Sequence, residues 1–196
     1  MQQLFLERCL EEARACLQRI QIDMTVSKGR WAYSFKEGKK AEELFKELMI
    51  ERGNTCIKST RNDDIHKHID FYVNNVGVDV KGNRHLETIW LELKNVRGKK
   101  GWLEGEAEYI VMDVVELNSF CIFLRQDLLA FVENITDIAS SKKDYMKLYT
   151  RENRQDVLVK VKYNNIKHLQ KQTVRYDIKR TTNKEAGSNG GYTVNN

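Results

Sequence analysis

Two aspartates lie nine residues apart in the segment HIDFYVNNVGVDVKG, residues 68–82. Short β-rich runs flank an Asn-Asn pair at 74–75, and asparagine tolerates the positive φ that a two-residue type I′ turn requires. A hairpin closed at this turn places Asp70 directly opposite Asp79. The other expected cross-strand partners are Val73 with Val76, Tyr72 with Gly77, and Phe71 with Val78.

Facing carboxylates repel each other, because the Cβ atoms of directly paired residues are about 4.5–5.5 Å apart. A divalent cation would compensate this repulsion. Carboxylate oxygens on rigid strands, with room for water and phosphate oxygens, are typical ligands of Mg²⁺ in phosphoryl-transfer sites, and Mn²⁺ is the expected substitute. Since strand side chains alternate, Lys81 projects on the face of Asp79, whereas Val78 and Val80 point to the core. Lys81 could there stabilise charge on a phosphate or orient the attacking water.

Asp70 followed by Asp79-Val80-Lys81 resembles the PD-(D/E)xK nuclease superfamily, whose motif is an Asp and then Asp/Glu-x-Lys on the next strand. Ile69 stands where the motif name has proline. The resemblance covers residues 36–125 and implies a restriction-endonuclease-like core ordered helix, three strands, helix, strand. It also implies phosphodiester hydrolysis with Mg²⁺, with DNA more common than RNA as the substrate.

Resolvase-type members of this superfamily carry G-x-x-x-E on a helix that ends in Gly before the first strand. Gly38, Glu42 and Gly53 match that pattern here. The resemblance therefore implies Glu42 as the first acid, which completes or supports the metal shell. Glu43 is the alternative, but Glu42 borders the apolar stripe of the helix while Glu43 aligns with its charged face.

A second acid-x-Lys, Glu92-Leu93-Lys94, lies in the strand-like run TIWLELK. It could be the third family motif with a longer spacing from Asp70. We favour Asp79-Val80-Lys81 because its spacing closes the hairpin, and Glu92 then becomes an added metal ligand or a supporting acid beside the site.

The segment ELKNVRGKKGWLEGEAEYIV is similar to phage and prophage proteins of nuclease-like pattern, which implies a virus-infected bacterial host. Its residues Arg97, Lys99, Lys100 and Trp102 form a basic, glycine-containing loop with an aromatic side chain. Such a loop could bind a nucleic acid by phosphate contact and base stacking. The alternative is a solvated loop whose Trp packs on the domain.

Other polar clusters allow two interpretations each. His66 and His68 alternate with Asp70 and could be metal ligands or ordinary loop residues, and His68, opposite Lys81 in the hairpin, could contact a phosphate instead. The basic segment 160–180 could follow a nucleic-acid backbone, with Tyr163 and Tyr176 interspersed, or form a charged surface.

Hydrophobic periodicity predicts helices over 4–20, 38–52 and 126–135. Alternation predicts strands over 55–60, 68–73, 76–82, 88–94, 120–125 and 157–163, and residues 106–117 suit either state. We expect an α/β or α+β fold with a central mixed sheet and flanking helices. The expected divisions are an N-terminal helix and connector (1–35), a nuclease-like core (36–180) and a flexible tail (181–196).

The chain has 196 residues, with 33 Lys plus Arg and 28 Asp plus Glu, a formal net charge of +5. This mild excess suits a polyanionic partner. Proline is absent from the sequence, which excludes collagen-like and Pro-rich classes. The sequence contains no apolar run long enough for a membrane span, no signal-peptide pattern and no C-x-x-C pair. We therefore expect a cytoplasmic protein without a membrane partner.

These observations and the resemblance together predict a metal-dependent nuclease, and the resemblance implies that it is a DNA endonuclease. The alternatives are a non-catalytic nucleic-acid-binding or virion-assembly protein with a vestigial site, and a small protein whose acids are only surface groups. The apolar stripe of the helix at 4–20 suits a homodimer, or packing on its own domain.

Overall fold

The structure is a computed structural model that describes residues 36–177. The helix predicted at 4–20 and the tail predicted at 181–196 lie outside the described residues. From Lys40 onward the described residues belong to one compact unit. The helices are α1 (36–51), α2 (Arg125–Glu133) and α3 (Tyr163–Ile166). The strands are β1 (Cys56–Lys58), β2 (Phe71–Val73), β3 (Val76–Arg84), β4 (Ile89–Lys94), β5 (Tyr109–Val114), β6 (Ser119–Leu124), β7 (Leu148–Tyr149), β8 (Val157–Val161) and β9 (Gln170–Arg175).

Two sheets organise these strands. The larger is six-stranded in the order β1-β2-β3-β5-β6-β9, and the smaller is three-stranded in the order β4-β8-β7. Within the larger sheet β3 and β5 are parallel and every other neighbouring pair is antiparallel. The prediction of a mixed central sheet with helices in an α+β fold is therefore confirmed.

Helix α1 packs on one face of the larger sheet. Ala41, Phe45 and Met49 recur at four-residue steps, which places them on one side of the helix, and all three are buried. The Phe45 ring lies 6.4 Å from the Phe71 ring and 5.4 Å from the Phe120 ring. The remaining members of this apolar cluster are Val78, Val80, Val111, Val174 and Tyr176. The predicted amphipathic helix is thus confirmed.

A second apolar core covers the opposite face of the larger sheet. Ile110 and Met112 of β5 contribute to this second core, whereas Val111 contributes to the α1 side. Strand β5 is therefore buried on both faces, which is why residues 106–117 show no alternation in the sequence. Ile89 and Leu91 of β4 and Val159 and Val161 of β8 bring the smaller sheet into this core.

The connection between the parallel strands β3 and β5 consists of β4 and a short 3₁₀ helix, Trp102–Glu104. The helix α2 follows β6. The described residues thus share the expected start, helix then three strands, and differ in what comes next. Within the same described range, no helix is long and apolar enough to cross a membrane.

Candidate functional site

The predicted hairpin forms, and three of its four predicted cross-strand pairs are in register. The fourth, Asp70 with Asp79, is not part of the paired ladder, because the Asp70 N–H donates to Val78 O, one residue out of that register. Val73 pairs with Val76, Tyr72 with Gly77, and Phe71 with Val78. Asn74 and Asn75 both have positive φ, 50° and 70°, as a type I′ turn requires. The backbone N–H of Thr55 donates to Asn74 Oδ1 at 3.0 Å, which ties the turn to the chain before β1.

Asp70 and Asp79 are both buried at the open end of this hairpin, with 7% and 2% of their surface exposed. The backbone N–H of Asp70 donates to Val78 O, and Asp70 Oδ2 accepts from the backbone N–H of Val80, each at 2.8 Å. The Asp70 carboxylate therefore accepts the Val80 N–H hydrogen bond that a backbone carbonyl would accept in a regular strand pair. Because both backbone segments hold it, the position of Asp70 is fixed.

The two carboxyl groups have opposite pKa shifts. Burial, together with the neighbouring Asp70, raises the pKa of Asp79 to about 7 against the attraction of Lys81. Burial acts in the same sense on Asp70, but Lys81 and the hydrogen bonds from Asp79 and from the Val80 N–H hold the Asp70 pKa below its ordinary value. When the pair carries one proton, that proton therefore resides on Asp79.

Lys81 lies on the same face as Asp79, as alternation predicts. Its Nζ is 2.7 Å from Asp79 Oδ2 and its side chain is 19% exposed. That contact lacks hydrogen-bond geometry, and Asp79 Oδ2 has no hydrogen-bond partner among the described residues. The Lys81 ammonium also lies 5.5 Å from the centre of the Trp102 ring.

Glu42 reaches this region through a residue that the sequence did not indicate. Lys58 Nζ lies 2.8 Å from Glu42 Oε2 and 3.6 Å from Asp70 Oδ1, and 4.4 Å above the Phe71 ring. Burial lowers the pKa of Lys58, but the hydrogen bond to Glu42 and the charge of Asp70 outweigh it, so the net pKa is raised. Lys58 is positioned by the pairing of β1 with β2, where it stands opposite Phe71.

Arg84 is a second residue that the sequence did not indicate. The register of β3 against β5 shifts between Lys81 and Arg84, because Lys81 pairs with Met112 and Arg84 with Val114. One extra residue returns Arg84 to the face of Asp79 and Lys81. Burial lowers the pKa of Arg84, against the attraction of Asp79, Glu92 and Asp113. Arg84 Nε is buried and has no hydrogen-bond partner within residues 36–177.

Glu92 faces this same group of charges from β4. Burial raises the pKa of Glu92, while the charges of Lys81, Arg151 and Arg84 act to lower it. The close approach of Gly101 helps to place it, since a Cβ there would lie 2.5 Å from Glu92 O. The structure therefore brings Glu92 next to the first motif, whereas its companion Lys94 is exposed.

His68, predicted to contact a phosphate, is partly buried, whereas the cations of the basic loop are exposed. His68 Nε2 lies 3.3 Å from Lys100 O, and burial together with the charge of Lys81 lowers the pKa of His68. Arg97, Lys99 and Lys100 are exposed. Asn95 orders their loop, because its Oδ1 accepts from the backbone N–H groups of Arg97 and Lys99 at 2.9 and 3.2 Å.

Three aromatic residues considered for nucleic-acid contact are buried. Trp102 is 6% exposed and belongs to the second core, so the alternative in which it packs on the domain is the one found. Tyr163 and Tyr176 are buried as well. The hydroxyl of Tyr176 donates to Asp113 Oδ1 at 2.5 Å. Nucleic-acid contact in this region stays a prediction for the exposed cations.

The fit of a metal ion depends on which carboxylates it would use. Among residues 36–177, no group of three or more His, Cys, Asp or Glu side chains is arranged to hold a metal ion. Asp70 and Asp79 form a two-carboxylate set, and the buried Oδ2 of Asp79 lacks a hydrogen bond within the described range. Mg²⁺ commonly binds through one or two carboxylates plus water and phosphate oxygens, so this pair fits it, while Glu42 is ion-paired with Lys58.

Comparison of the chain with protein-family models, curated proteins and solved structures finds no match.

Proposed function

We propose that the protein is a Mg²⁺-dependent nuclease that cleaves phosphodiester bonds in DNA, with a site of the PD-(D/E)xK type. The observation that carries this proposal is the buried pair Asp70 and Asp79 with Lys81 Nζ at 2.7 Å from Asp79. Two buried acids beside one lysine are costly to maintain in an apolar setting unless the site uses them. The succession of α1, β1, β2 and β3 around them supports the restriction-endonuclease-like assignment.

Each residue has a distinct role in this proposal. Asp70 and Asp79 hold the metal ion, which would polarise the scissile phosphate and lower the pKa of the attacking water. Lys81 orients that water or stabilises negative charge on the phosphate, which is the task of a cation adjoining the reacting oxygen. Glu42 and Glu92 support the site from α1 and β4.

Substrate contact is assigned to the exposed cations near the site. Arg97, Lys99 and Lys100 lie on an ordered loop, and the carbonyl of Lys100 is within hydrogen-bonding distance of His68. The positive charge of Lys81 in turn acts to lower the pKa of His68. The loop is therefore connected to the site, and a nucleic-acid backbone held by it would pass close to Lys81.

A non-catalytic nucleic-acid-binding or virion-assembly protein is the second candidate. The observation that favours it is internal neutralisation, since Lys58 pairs with Glu42 and Lys81 pairs with Asp79. A site whose acids are already paired is stable without a metal ion.

Cleavage assays separate the two functions. The full chain is incubated with single-stranded, duplex and branched DNA and with RNA, in Mg²⁺, in Mn²⁺ and in a chelator. Asp79→Asn is the test variant and Asp127→Asn the matched control, because Asp127 pairs with Lys171 at 2.8 Å on α2. The nuclease predicts metal-dependent products that Asp79→Asn loses and Asp127→Asn retains. DNA binding without any cleavage favours the second candidate.

A further inference from the structure

Lys58 occupies the space between two acids of the site. Its ammonium lies 2.8 Å from Glu42 Oε2 and 3.6 Å from Asp70 Oδ1. These are the carboxylates of α1 and of the residue before β2, so Lys58 bridges the helix and the hairpin. A divalent cation that drew on the same oxygens would meet an ammonium already there.

Lys58 and Lys81 differ in how easily their ammonium groups can turn away from the carboxylates. The Lys81 side chain is 19% exposed and lies against Trp102, whereas the Lys58 side chain is 40% exposed. Lys58 also lies on β1, an edge strand of the larger sheet. An ammonium on a flexible, half-exposed stem can turn to water without breaking the core.

Charge at this cluster also favours exchange of one cation for another. A divalent cation placed between Asp70 and Asp79 repels an ammonium that lies 3.6 Å from Asp70. When the ammonium turns away, its ion pair with Glu42 is broken, and the Glu42 carboxylate can then act as a third oxygen ligand. The ion displaced in this exchange is Lys58, which lies 2.8 Å from Glu42 Oε2 and 3.6 Å from Asp70 Oδ1.

We propose that Lys58 is a resident cation that holds Glu42 and Asp70 in the metal-free protein and competes with the divalent ion for them. This inference rests on the proposed function. It makes Lys58 a residue that sets metal affinity, because every binding event must displace its ammonium. Once displaced, the ammonium remains at the rim of the site.

Calorimetric titration of the metal-free full chain with Mn²⁺ tests this role. Lys58→Met removes the charge and keeps the length of the side chain, and Mn²⁺ affinity should rise about tenfold. Lys58→Arg retains a cation and should bind Mn²⁺ like the unaltered chain. Lys67→Met is the matched control, since Lys67 Nζ pairs with Asp63 Oδ1 at the same 2.8 Å outside the site.

A double variant shows whether Glu42 is the group released. Lys58→Met combined with Glu42→Gln should return Mn²⁺ affinity to the level of the unaltered chain. Thermal unfolding by circular dichroism verifies that each variant is folded, and Lys58→Gln is measured in parallel in case the methionine variant is not. Equal or weaker Mn²⁺ binding by folded Lys58→Met and Lys58→Gln overturns the proposal.

The same titration distinguishes failure of this inference from failure of the proposed function. If the unaltered chain binds Mn²⁺ and the Lys58 variants bind it equally well, the metal site stands and Lys58 has no competing role. If neither the unaltered chain nor any variant binds Mn²⁺, the metal-dependent function is contradicted and the role of Lys58 is overturned with it.

Discussion

Asp79 bears a strong electrostatic penalty, because it is 2% exposed, adjoins Asp70, and contacts Lys81 without hydrogen-bond geometry. Its pKa in the folded chain is about 7, against an ordinary value of 3.8. The folded state therefore holds a proton on Asp79 that the unfolded state has released at pH 5 or 6. A group of this kind loses its stabilising contribution as pH rises from about 4 to about 7.

The stability of the metal-free chain should show this loss. In a chelator, the free energy of unfolding of the unaltered chain relative to Asp79→Asn should fall between pH 4 and pH 7 by an amount on the order of 2–4 kcal/mol. The difference should level off only once the pH is well above the folded-state pKa of about 7. Urea unfolding of both proteins at several pH values gives this measurement, and parallel curves for the two proteins would show that Asp79 has no raised pKa.

Lys81 and Lys94 belong to the two acid-x-Lys pairs, and a matched comparison identifies the one that acts. Lys81→Ala should reduce cleavage by about 10²-fold or more, because it removes the cation beside the reacting phosphate, while Mn²⁺ and DNA binding persist. Lys94→Ala should leave the rate unchanged, since Lys94 is exposed at the end of β4. A Lys81→Ala protein that cleaves at the unaltered rate would remove Lys81 from the site.

At the scale of elements, the junction between β4 and the 3₁₀ helix at Trp102–Glu104 positions both Glu92 and Trp102. Gly101 lies there, and its backbone N–H donates to Leu93 O at 2.7 Å. A Cβ at Gly101 would lie 2.5 Å from the backbone oxygen of Glu92 and 2.7 Å from its Cγ. The glycine permits the approach of two backbone segments that carry the edge of the site.

Gly101→Ala should therefore destabilise the fold by about 2 kcal/mol, as overpacking of a backbone contact does. Gly38→Ala is the matched control, because a Cβ at Gly38 meets no described atom within 4 Å and alanine favours the helix. Thermal unfolding of the two variants measures the difference. Equal melting temperatures for Gly101→Ala and the unaltered chain would mean that the junction is free to adjust.

The sequence predicted the elements whose patterns are local. The Asn-Asn turn determined the register of β2 against β3, and the apolar stripe determined α1. The strand character of 109–114 could not be read, because β5 is buried on both faces and its residues do not alternate. Strand β9 was likewise hidden, since its run QKQTVR has one buried residue, Val174, and pairs with the distant β6.

The same distinction applies to the site. Asp70, Asp79 and Lys81 follow from hairpin register, which is a local property. Lys58 depends on the pairing of β1 with β2 across an intervening helical segment, Asp63–Lys67. Arg84 depends on a register shift against β5 that no residue type announces. Long-range strand pairing therefore places Lys58 and Arg84 at the site, and the sequence alone could not assign them to it.

For the whole molecule, part of the positive charge behind the net charge of +5 lies near the site, in the exposed loop that carries Arg97, Lys99 and Lys100. Lysines that contact phosphates release counterions, so DNA affinity falls with salt in proportion to the number of contacts. This loop should therefore contribute to the salt dependence, and exposed lysines elsewhere should not.

Two adjacent lysine pairs make a matched comparison. Changing Lys99 and Lys100 to Gln should weaken DNA binding and reduce the slope of log affinity against log salt by about 1 to 2. Changing Lys142 and Lys143 to Gln removes the same charge from another exposed segment and should alter neither quantity. Fluorescence anisotropy at several salt concentrations gives both values, and equal effects of the two changes would mean that binding responds to net charge alone.

The proposed function depends on metal binding by the buried acid pair, and calorimetric titration of the metal-free full chain with Mn²⁺ measures that binding. The unaltered chain and Asp127→Asn should each bind the ion, and Asp70→Asn and Asp79→Asn should lose that binding because each removes one of the two carboxylates. A metal site at Asp70 and Asp79 is ruled out if the unaltered chain binds no Mn²⁺ even with DNA present, or if both aspartate variants bind it as tightly as the unaltered chain does.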